Sequence, residues 1–379
     1  MDRLYKLLHK LTPFIPMAIK EMVRSVISVQ EYDYAIARQM NANIYENEII
    51  YPESRYCIAI IYDKNQDHIH YVSACQTLRI SYKVIDILAD DWVEKFRHSG
   101  CQAVLVWPSC STTVIKQVYD NRLRILEHDL RIILFPSWQE CWLTEHKPRL
   151  RDWLIAHHIP HPKTWVFYEK NQALEFSQNT LLPVVCKTAT GAGGSGVIII
   201  RNRRELKRII NQAFGVGLRP HRHDVFDRQR GFIFFQEYLH DVEEWRMVRI
   251  GDFYFGHRKD IGLNGMHSGS QSWSLIEPSY DLLDLLKKVT DISGFSSMDV
   301  DVFRSNDGRL FVNELQTVFG CTIRESTLPL YVTPGYNEGC YLWVDSQWVF
   351  NAGDYWRNHM CDLRVQHLIQ LLDTQNNNS

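Results

Sequence analysis

The sequence predicts an α/β protein whose N-terminal part is built on a parallel sheet. Three observations carry this. From Tyr56 onward short apolar runs alternate with helical stretches. Lys187 closes an apolar run and is followed by a loop with four glycines. Asp301 and Glu314 flank Asn306-Asp307-Gly308, a turn signal between two strand-like runs.

In chain order, residues 1–30 place Leu4, Leu7, Leu8 and Leu11 on one helical face beside Arg3, Lys6 and Lys10, until Pro13 and Pro16 interrupt the pattern. The stretch lacks the clean apolar core and small-residue cleavage site of a signal peptide. Such a segment either rests on a membrane surface or packs on its own domain or a second subunit; packing is the expectation. Tyr56–Tyr62, Tyr82–Leu88, Ala103–Trp107 and Arg131–Phe135 read as strands, with helices over roughly 68–80, near 91–99 and from Thr112. This rhythm implies a parallel sheet with helices on both faces. No GxGxxG follows any of these strands, so a dinucleotide site is not indicated.

A linker from Thr144 to Trp165 contains Lys147 and a short helix from Pro148. Next come a strand with the glycine loop (183–197), a helix (202–214), an exposed loop (215–231) and a strand leading to Gln236-Glu237-Tyr238-Leu239. Glu244 and Arg246 are two apart on a strand and share a face, either as members of cross-strand ion pairs or facing a nucleotide. Phe253-Tyr-Phe-Gly-His257-Arg258-Lys259 ends in three basic residues, a solvated strand end or a phosphate clamp. The loop Gly262–Ser270, with Asn264, His267 and Ser268, suits a closing segment or an ordinary surface loop. The tail Gln375–Ser379 is expected to be disordered.

The chemistry-bearing residues are of two kinds. Glycines, here with Gly193, Gly194 and Ser195 at the centre of the loop, let backbone N–H groups approach phosphate oxygens, and Lys187 adds a point charge. The loop is not a GxxxxGK[ST] P-loop, because the lysine precedes the glycines. In the acidic hairpin Asp301 and Glu314 lie side by side with Gln316 facing the same way, hard oxygen donors that suit Mg²⁺. The 379-residue chain has a formal net charge of −2, which gives no argument for nucleic acid as a partner. Nine cysteines without a CxxC pair suggest reduced thiols and a cytoplasmic protein. No apolar run reaches membrane-spanning length.

Taken in order, these segments resemble the ATP-grasp superfamily over about residues 50–325, and the metal hairpin is most similar to that of D-alanine–D-alanine ligases. There the pattern is Asp, a turn with Asp-Gly, then Asn-Glu-x-Asn-Thr and a glycine; here it is Asp301, Asp307-Gly308, Asn313-Glu314-Leu315-Gln316-Thr317 and Gly320. The resemblance implies a pre-ATP-grasp domain followed by a two-lobed ATP-grasp α+β fold. The expected boundaries are a helical extension (1–50), a Rossmann-like domain (51–142), the small lobe with the central linker (143–240), the large lobe with the metal hairpin (241–330) and a C-terminal extension (331–379).

By position, the resemblance implies that Lys147 and Lys187 are the two nucleotide lysines. It makes Glu237, Tyr238 and Leu239 the adenine hinge, with a hydrogen bond from Glu237 itself. Glu244 becomes the ribose carboxylate, and Asp301, Glu314 and Gln316 become Mg²⁺ ligands. Two positions depart. Gln316 stands where Asn is usual, with the same amide oxygen on a longer stem. Asp299 stands where the D-alanine ligases carry an arginine, so Arg258, Arg246 or Arg324 must supply that charge. The implied activity is ATP- and Mg²⁺-dependent joining of a small-molecule carboxylate to an amine, with a homodimer as the common assembly. The alternatives are a small-molecule kinase and a non-catalytic ATP-binding regulator or assembly protein.

Overall fold

A computed structural model describes residues 46–191, 194–221, 224, 226–260, 273–318, 330–332 and 335–377. The N-terminal amphipathic stretch, Gly193, the loop Gly262–Ser270, Gly320 and Arg324 lie outside the described residues.

The first sheet has the order β1-β3-β2-β4-β5, from β1 (Glu48–Ile49), β2 (Cys57–Ile61), β3 (Ser81–Ile85), β4 (Ala103–Leu105) and β5 (Ile133–Phe135). All pairings are parallel except β1 with β3. Helices α1 (Ile69–Leu78), α2 (Trp92–His98) and α3 (Thr113–Arg124) connect the strands, and α3 is capped by Thr112, whose side chain accepts from the Ile115 N–H. After β5, α4 (Trp138–Leu143) starts in a capping box between Ser137 and Glu140. Glu140 is buried and its other oxygen accepts from the backbone N–H groups of Ser296 (2.8 Å) and Ser297 (2.7 Å), tying this domain to the hairpin that carries Asp301.

Helix α5 (Lys147–Ala156) is longer than the short helix expected from Pro148. Pro148 is tolerated in its first turn, where its missing N–H has no helical partner to lose. The second sheet, β6-β9-β7-β8, is antiparallel and formed by β6 (Thr164–Phe167), β7 (Val184–Lys187), β8 (Val197–Ile200) and β9 (Ile233–Glu237). Helices α6 (Lys170–Asn179) and α7 (Arg203–Phe214) pack on it; α7 buries Leu206, Ile209, Ile210 and Ala213, a stripe at helical spacing.

The third sheet runs β14-β13-β10-β11-β12-β15, with a hairpin attached to β11. Its strands are β10 (Glu243–Ile250), β11 (Phe253–Lys259), β12 (Trp273–Leu275), β13 (Ser297–Arg304), β14 (Leu310–Gln316) and β15 (Leu330–Val332); the hairpin is β16 (Gly339–Val344) with β17 (Gln347–Ala352). One face packs Trp245, Met247, Val300, Val302 and Leu315 against α8 (Tyr280–Asp291) and α5.

The final helix, α9 (Cys361–Asn377), packs Val365, Leu368 and Leu372 into the core of the first domain. This corrects the expectation of a disordered tail from Gln375 on: Tyr56 Oη donates to Asp373 (2.7 Å) and accepts from Asn376 Nδ2 (3.0 Å), so the polar last turns are tied to the first domain and the helix runs to Asn377. Among the described residues no helix is long and apolar enough to cross a membrane.

Candidate functional site

Strand alternation sorts the third sheet into two faces. Opposite the α8 face, Val248, Ile250, Phe255 and Leu275 are apolar and covered by Trp356, Met360 and Leu363. Farther along the same face the residues change to Glu244, Arg246, His257, Lys259, Asp299, Asp301, Glu314 and Gln316. The register sets Arg246 opposite both His257 and Asp301, Glu244 opposite Lys259, Asp301 opposite Glu314 and Asp299 opposite Gln316. The predicted pairing of Asp301 with Glu314 is therefore the one observed, with Gln316 on the same face.

A bulge in β14 adds a residue the alternation rule does not foresee. Val302 pairs with Val312 while Asp301 pairs with Glu314, so Asn313 is the extra residue. Its Oδ1 accepts from Lys187 Nζ at 3.0 Å, which joins the hairpin to the small lobe. No glycine marks the bulge in the sequence; only the register reveals it.

Charge on this face is paired. Arg246 donates from Nε to Asp301 Oδ1 (3.1 Å) and from Nη2 to Asp301 Oδ2 (3.2 Å). Its Nε also lies 2.9 Å from Asp299 Oδ2, an ion pair without hydrogen-bond alignment, since both Asp299 oxygens are buried and have no hydrogen-bond partner among the described residues. Lys259 Nζ donates to Glu244 Oε1 (2.8 Å) and to Asp301. Burial would raise the Asp301 pKa, but Arg246 and Lys259 outweigh it and hold the carboxyl well below its ordinary value. Asp299 goes the other way: burial pushes it well above the ordinary range, Arg246 does not offset this, and the charge on Asp301 adds to it. The aligned Asp301 keeps its charge and Asp299 takes up a proton first. His257 is driven down to about 3 by burial and by Arg246 and Lys259, so it is neutral.

The two predicted lysines approach from the other side. Lys147 is buried at the start of α5, with Nζ 3.0 Å from the Gly191 carbonyl, 3.5 Å from Glu314 Oε1 and 3.7 Å from Glu145 Oε2. Burial lowers its pKa, but Glu314 and Glu145 overcome this and raise it. Lys187 ends β7; burial lowers it to about 8 against the pull of Glu314. The glycine loop between β7 and β8 is tightly folded. A Cβ on Gly196 would stand 1.8 Å from Thr188 Oγ1, and one on Gly191, at φ +118, would stand 2.8 Å from the Pro220 carbonyl oxygen. Ser195 donates its hydroxyl to Pro220 O at 2.6 Å. Gly194 lies in this loop with a positive φ, next to Gly193, which is outside the described residues.

Two predicted residues stand elsewhere than expected. Arg258 pairs with Trp245, and alternation turns it to the opposite face, beside Asp260 (3.4 Å) and Glu243 (3.6 Å); His257 and Lys259 take the site face instead. The Glu237 carboxylate accepts from the Lys163 N–H at 2.6 Å, so it braces the linker rather than presenting itself as a free acceptor. Tyr238 and Leu239 follow in the connection to β10, with the Tyr238 ring edge-on to His240. Glu244 is on the site face, but it is buried against Lys259.

A cleft of about 280 Å³, including space open to solvent, lies between the lobes, lined by Lys147, Lys187, Asn313 and Gln236 with Leu150 and Phe234 among the apolar residues. Gln236 lines the cleft beside Glu237, Lys259 faces the site where Arg258 does not, and Asn313 and Glu145 add polar groups that the motifs do not indicate. Only the period-2 alternation on β9 and β11 carried a signal for the first two, and it needs a known register.

The donor chemistry fits a hard cation. Glu314 Oε1 is buried with no hydrogen-bond partner among the described residues, and Gln316 Nε2 donates to Glu145 Oε1 (3.3 Å), leaving its amide oxygen as the other polar atom. Among the described residues no three His, Cys, Asp or Glu side chains cluster to hold a metal ion; the predicted trio has an amide as its third member, and Asp301 is turned toward Arg246 and Lys259.

Comparison with known proteins bears on the same segment. Residues 144–330 match the model of the RimK-like ATP-grasp domain. The alpha-aminoadipate–LysW ligase LysX of Saccharolobus solfataricus is 26% identical over 175 residues, 44% of this chain and 58% of that protein. The protein of the same name from Sulfurisphaera tokodaii is 27% identical over 187 residues, 44% of this chain and 56% of that protein. The matches thus span less than two thirds of these relatives' length. Among solved structures, the biotin carboxylase domain of Hydrogenobacter thermophilus 2-oxoglutarate carboxylase, in complex with MgADP, ADP and bicarbonate, aligns with a TM-score of 0.51 at 16% identity over 69% of this chain and 64% of that one. The ADP complex of N5-carboxyaminoimidazole ribonucleotide synthetase aligns with a TM-score of 0.50 at 15% identity over 72% of each. At these identities the shared feature is the fold.

Proposed function

The chain belongs to the ATP-grasp superfamily through its RimK-like domain, residues 144–330, and from that premise we propose that it is an ATP-dependent ligase that joins a carboxylate to an amine. The observation that carries this reading is the meeting of Lys147 and Lys187 with Glu314 and Asn313 across the cleft between the lobes. Two cations from one side and hard oxygen donors from the other form a clamp for a chelated polyphosphate.

In this reading the ATP phosphates lie along Lys147, Lys187 and the backbone of the loop that holds Gly194 and Ser195. Asp301, Glu314 and Gln316 would hold Mg²⁺, which neutralises charge on the transferred phosphoryl group. Arg246 keeps Asp301 ionised and its guanidinium replaces the arginine that Asp299 displaces from the neighbouring strand. Lys259 holds Glu244 in place for a sugar hydroxyl. Phosphorylation turns the carboxylate into an acyl phosphate, which the amine attacks with release of phosphate. Neutral His257, buried beside Arg246, adds no competing charge. The name of the LysX relatives supports ligation as the reaction type. The scattered free cysteines support a cytoplasmic setting.

One observation favours a second reading, ATP binding without turnover: Asp301 is already occupied by Arg246 and Lys259. A screen of ADP release over paired carboxylates and amines, with ATP and Mg²⁺, separates the readings. Ligation requires ADP release that depends on both partners. ADP release with a stable phosphorylated product and no amine would indicate a kinase, and binding with no release under any pairing would indicate the non-catalytic protein.

A further inference from the structure

Glu145 has no role in the scheme above, yet it sits in the middle of the phosphate-binding groups. It is 6% exposed, and its backbone is left-handed at φ +54. That conformation is costly for a residue with a Cβ and is held only when the surroundings over-determine it. Two groups face its carboxylate. Lys147 Nζ stands 3.7 Å from Oε2, and Gln316 Nε2 donates to Oε1 at 3.3 Å. Oε2 is buried and without a hydrogen-bond partner among the described residues. The first nucleotide lysine and a metal-site amide are groups that an anionic phosphate oxygen would meet.

We propose that Glu145 is an internal anion occupying the phosphate cradle of the nucleotide-free protein, and that bound nucleotide displaces it. This rests on the nucleotide reading of the cleft. Its carboxylate neutralises Lys147 beside Glu314 when no phosphate is present, and swinging out releases the left-handed backbone. Nucleotide affinity is therefore reduced by the fraction of molecules in which Glu145 fills the cradle.

The test is calorimetric titration of ATP–Mg²⁺ into the wild-type protein, Glu145→Gln and Glu145→Ala, after circular dichroism has shown that each is folded. Both variants are expected to bind about tenfold more tightly than wild type. Their nucleotide-free melting temperatures fall, while the rise on adding ATP–Mg²⁺ grows. Equal or weaker binding by the folded variants would overturn the proposal and leave the nucleotide site standing. No binding by the wild type would overturn the nucleotide reading and this proposal with it. If Glu145→Gln does not fold, Glu145→Ala decides by the same criterion; if neither folds, Glu145 is a structural residue and the proposal fails.

A different observation stands where β2 and β4 begin, side by side within the first sheet. Cys57 opens β2 and Cys101 precedes β4, and their Sγ atoms are 3.4 Å apart with both residues partly exposed. We infer that this pair forms a reversible disulfide with a small-molecule disulfide as oxidant. One thiolate attacks the reagent's disulfide bond and releases one thiol; the other thiolate attacks the mixed disulfide and releases the second. The protein loses two electrons and two protons, and the reagent becomes two thiols. Treatment with oxidised glutathione followed by peptide mapping is expected to give a linked Cys57–Cys101 peptide that dithiothreitol cleaves. Cys57→Ser is expected to retain a glutathione adduct on Cys101. Absence of the linked peptide in the treated wild type would overturn the inference.

Discussion

Arg246 offers the sharpest perturbation of the charged face. Replacing it with Met keeps the length of the stem and removes the guanidinium. Asp301 and Asp299 have side chains 2% and 1% exposed, so water cannot take the place of the lost charge. Two charge-assisted hydrogen bonds to Asp301, at 3.1 and 3.2 Å, go with it. Lys259 remains, but it already serves Glu244. Removing one partner from a buried ion pair costs about 3–5 kcal/mol, and Arg246→Met is expected to lose that much at pH 7. The penalty depends on pH. In the wild type Asp301 is held below the unfolded value of about 3.9. Its contribution is complete above that pH and is lost as pH falls through the folded pKa. Asp299 is held above its unfolded value, so ionising it destabilises the fold as pH rises. Without Arg246 both carboxyls shift upward and can neutralise themselves as pH falls. The variant's deficit should therefore shrink between pH 7 and pH 5. Urea unfolding of both proteins at the two values measures it. A loss below about 1 kcal/mol, typical of exposed ion pairs, or a deficit larger at pH 5 than at pH 7, would refute the reasoning.

Three further outcomes follow from the geometry. Lys187, held at about 8 in the nucleotide-free protein, should lose its charge across pH 7 to 9, so ATP affinity should fall over that range in titration calorimetry; Lys187→Arg should flatten the dependence. Arg258→Ala should leave ATP affinity within about twofold of wild type, because the side chain is on the α8 face, whereas Lys259→Ala should weaken binding measurably in the same assay. Gln316→Asn, which restores the donor usual in the family resemblance, should retain ADP release under the ligation screen, and its loss would show that the longer stem is needed to reach both Glu145 and the cation.

How much of this was legible in the sequence depended on whether a signal was local. The alternation of strands and helices from Tyr56 and the Asp-Gly turn are local, and both the parallel sheet and the pairing of Asp301 with Glu314 followed from them. Lys187 could be picked because it ends a strand beside a glycine loop, whereas Lys147 was indicated only by its position in the family resemblance. Helix α6 was not foreseen, since Lys170–Asn179 buries only Ala173 and Ser177 and shows almost no apolar stripe. The choice between Arg258 and Lys259 needs the register of β11 against β10, which no short stretch encodes. Asn313 comes from a bulge, and Glu145 from a left-handed backbone whose carboxylate accepts from Gln316, 171 residues away. The reach of α9 back to the first domain is likewise set by contacts with Tyr56 and α1, at the other end of the chain.

The account stands most directly on Glu314, the carboxylate that faces Lys147 at 3.5 Å and pairs with Asp301 across the hairpin. The decisive measurement is the turnover of Glu314→Ala with ATP, Mg²⁺ and a carboxylate–amine pair that the wild type joins, alongside its circular dichroism and melting curve. The side chain is not part of the apolar core around Val312 and Leu315, so the fold should be retained. Loss of one preorganised electrostatic group in a phosphoryl-transfer site costs about 10²–10³ in kcat, and turnover should fall by at least that factor. A folded Glu314→Ala protein that ligates at near wild-type rate would contradict the assignment of this site.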